Sequence, residues 1–250
     1  MFRKATLLFN TVKYLKISQI WARIRRKVFR PTIDVSTSTP KVSKTSNELK
    51  PVIHCQQKMF GKNSFRFLNV DSNIISDTDW NSVSQQKLWL YNLHYFDDLT
   101  AINSEQRIDW HKKLIQRWID ENPISIGNGW EAYPSSLRIV NWIKWSLLGN
   151  SLEQGWADSL AIQTRFISKN LETHLLGNHM FANAKALIFS GLFFKGKEAN
   201  DWYRIGTDLI NIELPEQILK DGGNFELSPM YHAIFLEDLL DIVNIHQAYN

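Results

Sequence analysis

The sequence predicts an all-α body, and three observations point there. From residue 88 onward, seven stretches repeat apolar side chains with a period near ~3.6 residues. Most run ~15–20 residues with short connections between them, which favours antiparallel helical hairpins. No fixed-period repeat of the solenoid kind is visible, so the hairpins are expected to group around a common axis.

The elements follow in order. Residues 1–30 carry nine Lys or Arg and no acid. Over residues 5–29, Leu7, Leu8, Val12, Leu15, Ile20, Ile24 and Val28 recur at near-helical spacing, and the basic residues fall largely elsewhere on the wheel. Such a basic amphipathic helix suits peripheral contact with an anionic membrane, and equally a solvated helix packed on the body. It reads poorly as a secretory signal, because the apolar run before Asn10 is short and Lys13 and Lys16 follow at once. A cytoplasmic or membrane-peripheral site is therefore favoured, with a periplasmic one as the alternative. Residues 31–87 read as a linker followed by an irregular segment, with a strand or two around Phe65–Val70.

The helical body is expected over residues 88–250. Its stretches are Leu88–Leu99, Ser104–Glu121, Pro134–Leu148, Leu152–Asn170, Asn178–Phe194, Ala199–Leu219 and Pro229–Ala248. Asn122-Pro123, Gly149-Asn150, Gly177-Asn178, Gly196 and Gly222-Gly223 punctuate them. Pro134 and Pro229 sit where a first helical residue is expected.

Composition narrows the functions. No run of ~20 apolar residues exists, so no spanning helix is expected. A single cysteine, Cys55, excludes a disulfide framework and a multi-cysteine metal cluster. The net charge of +4 belongs to the first fifty residues, because the remaining 200 carry 17 basic and 23 acidic side chains. A nucleic-acid surface needs positive charge on the folded part, so none is expected. Ten Trp, fourteen Phe and seven Tyr serve either a large helical core or a sugar-lined cleft. Neither HExxH nor CxxC occurs, so no metal or other cofactor is expected within this chain.

Four segments carry a resemblance: LWLYNLHYFDDL (88–99), NGWEAYPSSLRIVNW (128–142), NLETHLLGNHMFANAKAL (170–187) and DGGNFELSPMYH (221–232). In order and spacing they resemble the N-terminal helical domain of the heparinase II/III-like polysaccharide lyases. The resemblance implies an incomplete (α/α) toroid, followed in the family by a β-sandwich that carries any family metal site. It implies a uronic-acid-containing acidic polysaccharide as substrate and cleavage by β-elimination. Asn178 and His179 match the family's Asn-His pair beside the uronate, and Tyr231 matches its catalytic tyrosine.

The residue types suit that chemistry. Donors that neutralise the carboxylate stabilise the enolate-like charge formed when the C5 proton leaves. Asn178 offers an amide, and His179 can donate when protonated or act as base when neutral. Tyr231 can protonate the leaving oxygen as a neutral phenol, or act as base beside positive charge. Trp130 and Tyr133 are candidates for stacking on sugar rings, Arg138 for a carboxylate clamp, and Glu226 for orienting His179 or Tyr231. Plainer roles fit the same residues: a helix cap for Asn178, a structural histidine, a packed tyrosine, core aromatics and a solvated arginine. The residues given extend only into the helical region, so weak activity or none is expected without a C-terminal half. The alternatives are a non-catalytic carbohydrate-binding domain or a helical interaction module. A hydrolase would need two carboxylates, for which Glu131 and Glu226 are the loop candidates.

Overall fold

The computed structural model describes Asn10, Lys13 and residues 15–28, 32–50 and 53–250. Among them, α1 (Ile17–Val28) covers the later part of the helix expected over residues 5–29, but Lys13 lies in a turn, Leu15 in a bend and Lys16 outside any helix, so the single continuous helix is not seen. Leu7, Leu8 and Val12 of that expectation lie outside the described residues. The body contains α2 (Lys87–Tyr95), α3 (Ile108–Glu121), α4 (Ala132–Leu147), α5 (Gln154–Lys169), α6 (Gly177–Phe193), α7 (Lys197–Gln217) and α8 (Pro229–Tyr249). These are the seven predicted helices with their ends moved by a few residues.

The largest shifts are at the start of α3 and at the end of α2, which stops before Phe96. That residue takes a left-handed φ of 64°, a costly conformation for a bulky side chain. Its ring packs against Trp142 at 5.6 Å and Trp118 at 6.5 Å, and this burial offsets the strain.

Antiparallel hairpins build the body, as expected. In α4 and α5, Arg138 Nε donates to Gln163 Oε1 at 2.8 Å, and Trp145 meets Trp156 at 6.2 Å. Residue numbers rise along one helix as they fall along the other. The same holds for α6 and α7, which touch backbone to backbone. A Cβ at Gly206 would lie 2.7 Å from the Ala184 carbonyl oxygen. Helices α4, α6 and α8, by contrast, run parallel. Tyr133 faces His179 with ring centroids 4.5 Å apart, and Asn183 donates to Ser136 Oγ at 3.0 Å. Phe181 faces Phe235 at 4.7 Å, and Lys185 Nζ lies 2.7 Å from Asp238. Numbers rise together across all three. The result is an all-α, toroid-like arrangement in which parallel inner helices are joined by returning ones. Helix α6 is buried nearly all round, whereas α7 turns a polar face to water.

Residues 31–87 contain more structure than a linker. Strand β1 (Lys41–Val42) pairs with β5 (Phe194–Lys195). Arg165 grips the carbonyls of Thr37 and Ser38, each at 3.1 Å, and so straps this segment to the body. β2 (Met59–Gly61), β3 (Ser64–Phe67) and β4 (Val70–Asn73) form an antiparallel meander. Leu68 and Asn69, with φ of 54° and 60°, make the two-residue turn between the last two strands. Met59, Phe65, Phe67 and Trp80 enter the same core as the helices. Buried Asp98 fastens the sheet: it accepts from the Lys58 and Met59 backbone N–H groups at 2.6 and 2.9 Å, and from Arg107 Nε at 2.8 Å. Strands of three or four residues, rich in Asn and Ser, are too short to show a period in sequence.

Candidate active site

The parallel run of α4, α6 and α8 brings three helix N-termini to one end of the molecule. The register that joins Phe181 to Phe235 and Lys185 to Asp238 sets Tyr231 level with Gly177 and Asn178. Tyr133, in the first turn of α4, meets His179 in the first turn of α6. Tyr133, Asn178, His179 and Tyr231 therefore occupy adjacent first turns. Helix N-termini carry free backbone N–H groups and positive dipole ends, which favour an anion there. One of those groups is taken, because Gly177 N–H donates to Glu213.

The loop before α6 sets up His179. Leu176 and Gly177 both adopt left-handed φ values, 63° and 60°, turning the chain sharply into the helix. This brings Glu172 back over the first turn, where its Oε2 lies 3.1 Å from His179 Nδ1. An ionised carboxylate can only accept, so Nδ1 carries the proton and Nε2 is left for other work. Glu172 is itself held. Its backbone N–H donates to Asn183 Oδ1 at 2.9 Å, and Asn183 Nδ2 reaches its carboxylate at 3.4 Å. His179 is about a third exposed and open to a ligand.

Asn178 donates from its side chain to the Tyr133 phenol. Burial pushes that phenol up to about 12, with the negative charge of Asp238 adding to the effect, so Tyr133 is a neutral hydrogen-bonding group at pH 7. Tyr231 is half-buried, and its backbone N–H points to Ser228 Oγ at 3.5 Å, the cap of α8. Asn224 organises the preceding loop, accepting from the Glu226 N–H at 3.1 Å and donating to the Gln217 carbonyl at 3.3 Å.

Two sequence-predicted residues, Arg138 and Trp130, lie in the core. Arg138 is wholly buried and faces α5, not a cleft. It donates to Gln163, to the Gly129 carbonyl at 2.8 Å and to the His94 carbonyl at 3.2 Å, and its guanidinium stacks 3.7 Å over Trp118. Burial lowers its pKa well below the ordinary guanidinium value. It knits the core and is closed to a substrate carboxylate. Trp130 is also core, packed on Trp118 and Phe166 and donating Nε1 to the Asn122 carbonyl at 3.2 Å. Glu226 is exposed, and the carboxylate on His179 comes from Glu172 instead. Glu172 stands seven residues before the histidine in NLETHLLGNH, a separation that by itself carries no signal of the contact.

Beside Tyr133 opens a cleft of about 290 Å³. Its ionisable lining sets Lys144 and Lys185 against Asp97, Glu237, Asp238 and Asp241. Lys185 bridges Asp238 and Asp241 at 2.7 and 2.5 Å, and Lys144 meets Asp241 at 2.6 Å. With these lysines already paired, the cleft carries no surplus positive charge for a uronate. The helix N-termini are the better anion site. Burial pushes the Cys55 thiol on the cleft wall up to about 12, which removes it as a nucleophile at neutral pH. Among the described residues, no group of three or more His, Cys, Asp or Glu is placed to hold a metal ion.

Comparison with known proteins bears on this geometry. The family model described as heparinase II/III N-terminus matches residues 14–250. A heparin-sulfate lyase from Bacteroides stercoris is 39% identical over 74 residues, 29% of this chain and 11% of that protein. A heparin-sulfate lyase from Pedobacter heparinus is 36% identical over 73 residues, 28% of this chain and 11% of that protein. The matched stretch is thus about a tenth of either relative. No solved structure matches the chain.

Proposed function

This chain belongs to the heparinase II/III family, and from that premise we propose that it supplies the acid–base wall of a carbon–oxygen lyase for uronate-containing polysaccharides. The observation that supports the proposal is the cluster of Asn178, the Glu172-held His179 and Tyr133 at the N-termini of α4 and α6, with Tyr231 in the first turn of the parallel α8. The uronate carboxylate binds at these positive ends and takes a hydrogen bond from Asn178. Both interactions strengthen as charge spreads onto the carboxylate during proton removal.

His179 and Tyr231 share the two proton transfers. With Nδ1–H given to Glu172, Nε2 of neutral His179 has the lone pair that takes the C5 proton. The C5–H electron pair becomes the C4–C5 double bond and the C4–O bond breaks. Tyr231 gives its phenolic proton to the departing oxygen. No water enters the products, so the fragment that keeps the uronate carries an unsaturated sugar at its new non-reducing end, and the other fragment leaves with the protonated oxygen. Tyr133 positions Asn178 and presents its ring beside the sugar.

The test is mass spectrometry of products after incubating the chain with heparan, alginate and bacterial capsular uronates. Elimination makes a fragment lighter by one water than hydrolysis of the same bond. A saturated product would assign a hydrolase instead, with the separation of two carboxylates as its hallmark.

A further inference from the structure

Helix α1 docks on the body with the wrong face. A helix that folds back onto its own domain buries its apolar stripe. Here Ile17, Trp21, Ile24 and Val28, spaced four, three and four residues apart, form one stripe that stays exposed at 86, 66, 50 and 84%. The polar side makes the attachment. Lys16 pairs with Glu216 at 2.7 Å. Gln19 Nε2 donates to the Leu175 carbonyl at 3.3 Å, and Arg23 to the His174 carbonyl at 3.4 Å.

We propose that this stripe is a docking surface for an anionic lipid membrane, on which α1 lies flat. Three observations select that occupant. Residues 1–30 carry nine basic side chains and no acidic one, so the surface that receives the stripe must be negative. A second copy of α1 would set like charges against each other. A hydrated polyanion matches the charge but cannot cover Trp21 and Ile24, whereas a bilayer interface takes both the charge and the apolar side chains. Among the described residues the helix is twelve residues long, about 18 Å, which is short of a bilayer span and suited to lying in its surface. Trp21 sits mid-stripe, and tryptophan favours the headgroup level.

The attachment also ties this surface to the candidate active site. The carbonyls gripped by Gln19 and Arg23 belong to the loop that turns through Leu176 into Asn178 and His179. A membrane under α1 therefore lies one loop away from the histidine. The inference does not depend on lyase chemistry, because lipid binding is read without substrate.

The experiment is flotation of the purified chain with two kinds of vesicle, phosphatidylcholine alone and an equal mixture of phosphatidylcholine and phosphatidylglycerol. The chain should float with the anionic vesicles and stay behind with the neutral ones. The double variant Trp21→Glu, Ile24→Glu should lose binding by more than about tenfold while its circular dichroism is unchanged. Failure of the unaltered chain to float with anionic vesicles overturns the proposal. So does undiminished flotation of a folded variant, which would reduce the effect to loose charge adsorption. A change of oligomeric state on the same substitution, with no lipid binding by the parent, would assign the stripe to a protein interface.

Discussion

Replacing Glu172 by Gln keeps the side-chain volume and one acceptor but removes the charge facing His179. In the native chain the carboxylate lies 3.1 Å from Nδ1, and its own side chain is only 9% exposed. A hydrogen bond involving an ionised group is worth roughly 1.5–3 kcal/mol. His179 is 31% exposed, which places this pair at the lower end of that range. A loss of about 1.5 kcal/mol at the transition state is about a tenfold loss of rate. The amide can also turn its NH2 toward Nδ1, moving the ring proton to Nε2 and removing the lone pair assigned to the C5 proton. Glu172→Gln should therefore lower kcat about tenfold and leave KM within about twofold, since the carboxylate site at the helix ends is untouched. Nitrogen NMR of the histidine ring reads the tautomer directly, with or without turnover. Unchanged turnover together with a proton still on Nδ1 would refute the orienting role of Glu172.

Other predictions concern the scaffold. Burial opposes the charge of Asp98, but His111, Arg107 and two backbone N–H groups outweigh it and hold its carboxyl at about 2 against an ordinary 3.8. A depressed carboxyl stabilises fully above 3.8 and loses that contribution as pH falls toward 2, so urea unfolding across this window should show a loss of roughly 2 kcal/mol from this group. Asp98→Asn should flatten that dependence and cost about 3–5 kcal/mol at neutral pH, because Arg107 is left buried without its partner. Gly206→Ala would bring a Cβ to 2.7 Å from the Ala184 carbonyl oxygen and 2.8 Å from Ile188 Cγ1. Prising α6 from α7 should cost about 1–3 kcal/mol, read as a lower thermal midpoint.

The helices were legible because they are long. Fourteen or more residues at period 3.6 leave a pattern that local noise does not erase, and α3 to α8 all meet that length. The residues proposed to carry the chemistry, Asn178, His179 and Tyr231, were singled out by the family resemblance, and each stands in the first turn of its helix. Residue type alone did not show which way a helical side chain faces. Arg138 was expected at a substrate and lies under Trp118 in the core, because its position on α4 points toward Gln163. Trp130 follows the same logic. Glu172 reaches His179 only through the left-handed turn at Leu176 and Gly177, a tertiary feature that spacing does not reveal. The meander over residues 59–73 is built from strands of three or four residues, held by Asp98 from a distant part of the chain. Its stability is non-local, and so was its signal.

The most direct test of the central claim is ultraviolet absorbance of the new C4–C5 double bond conjugated to the carboxylate. The chain and its Tyr231→Phe variant would be followed on the same panel of uronate polysaccharides. The phenylalanine keeps the ring and removes only the phenolic proton. The account predicts a rising signal with the native chain that falls at least about a hundredfold in the variant. Equal rising signals from the two would contradict it.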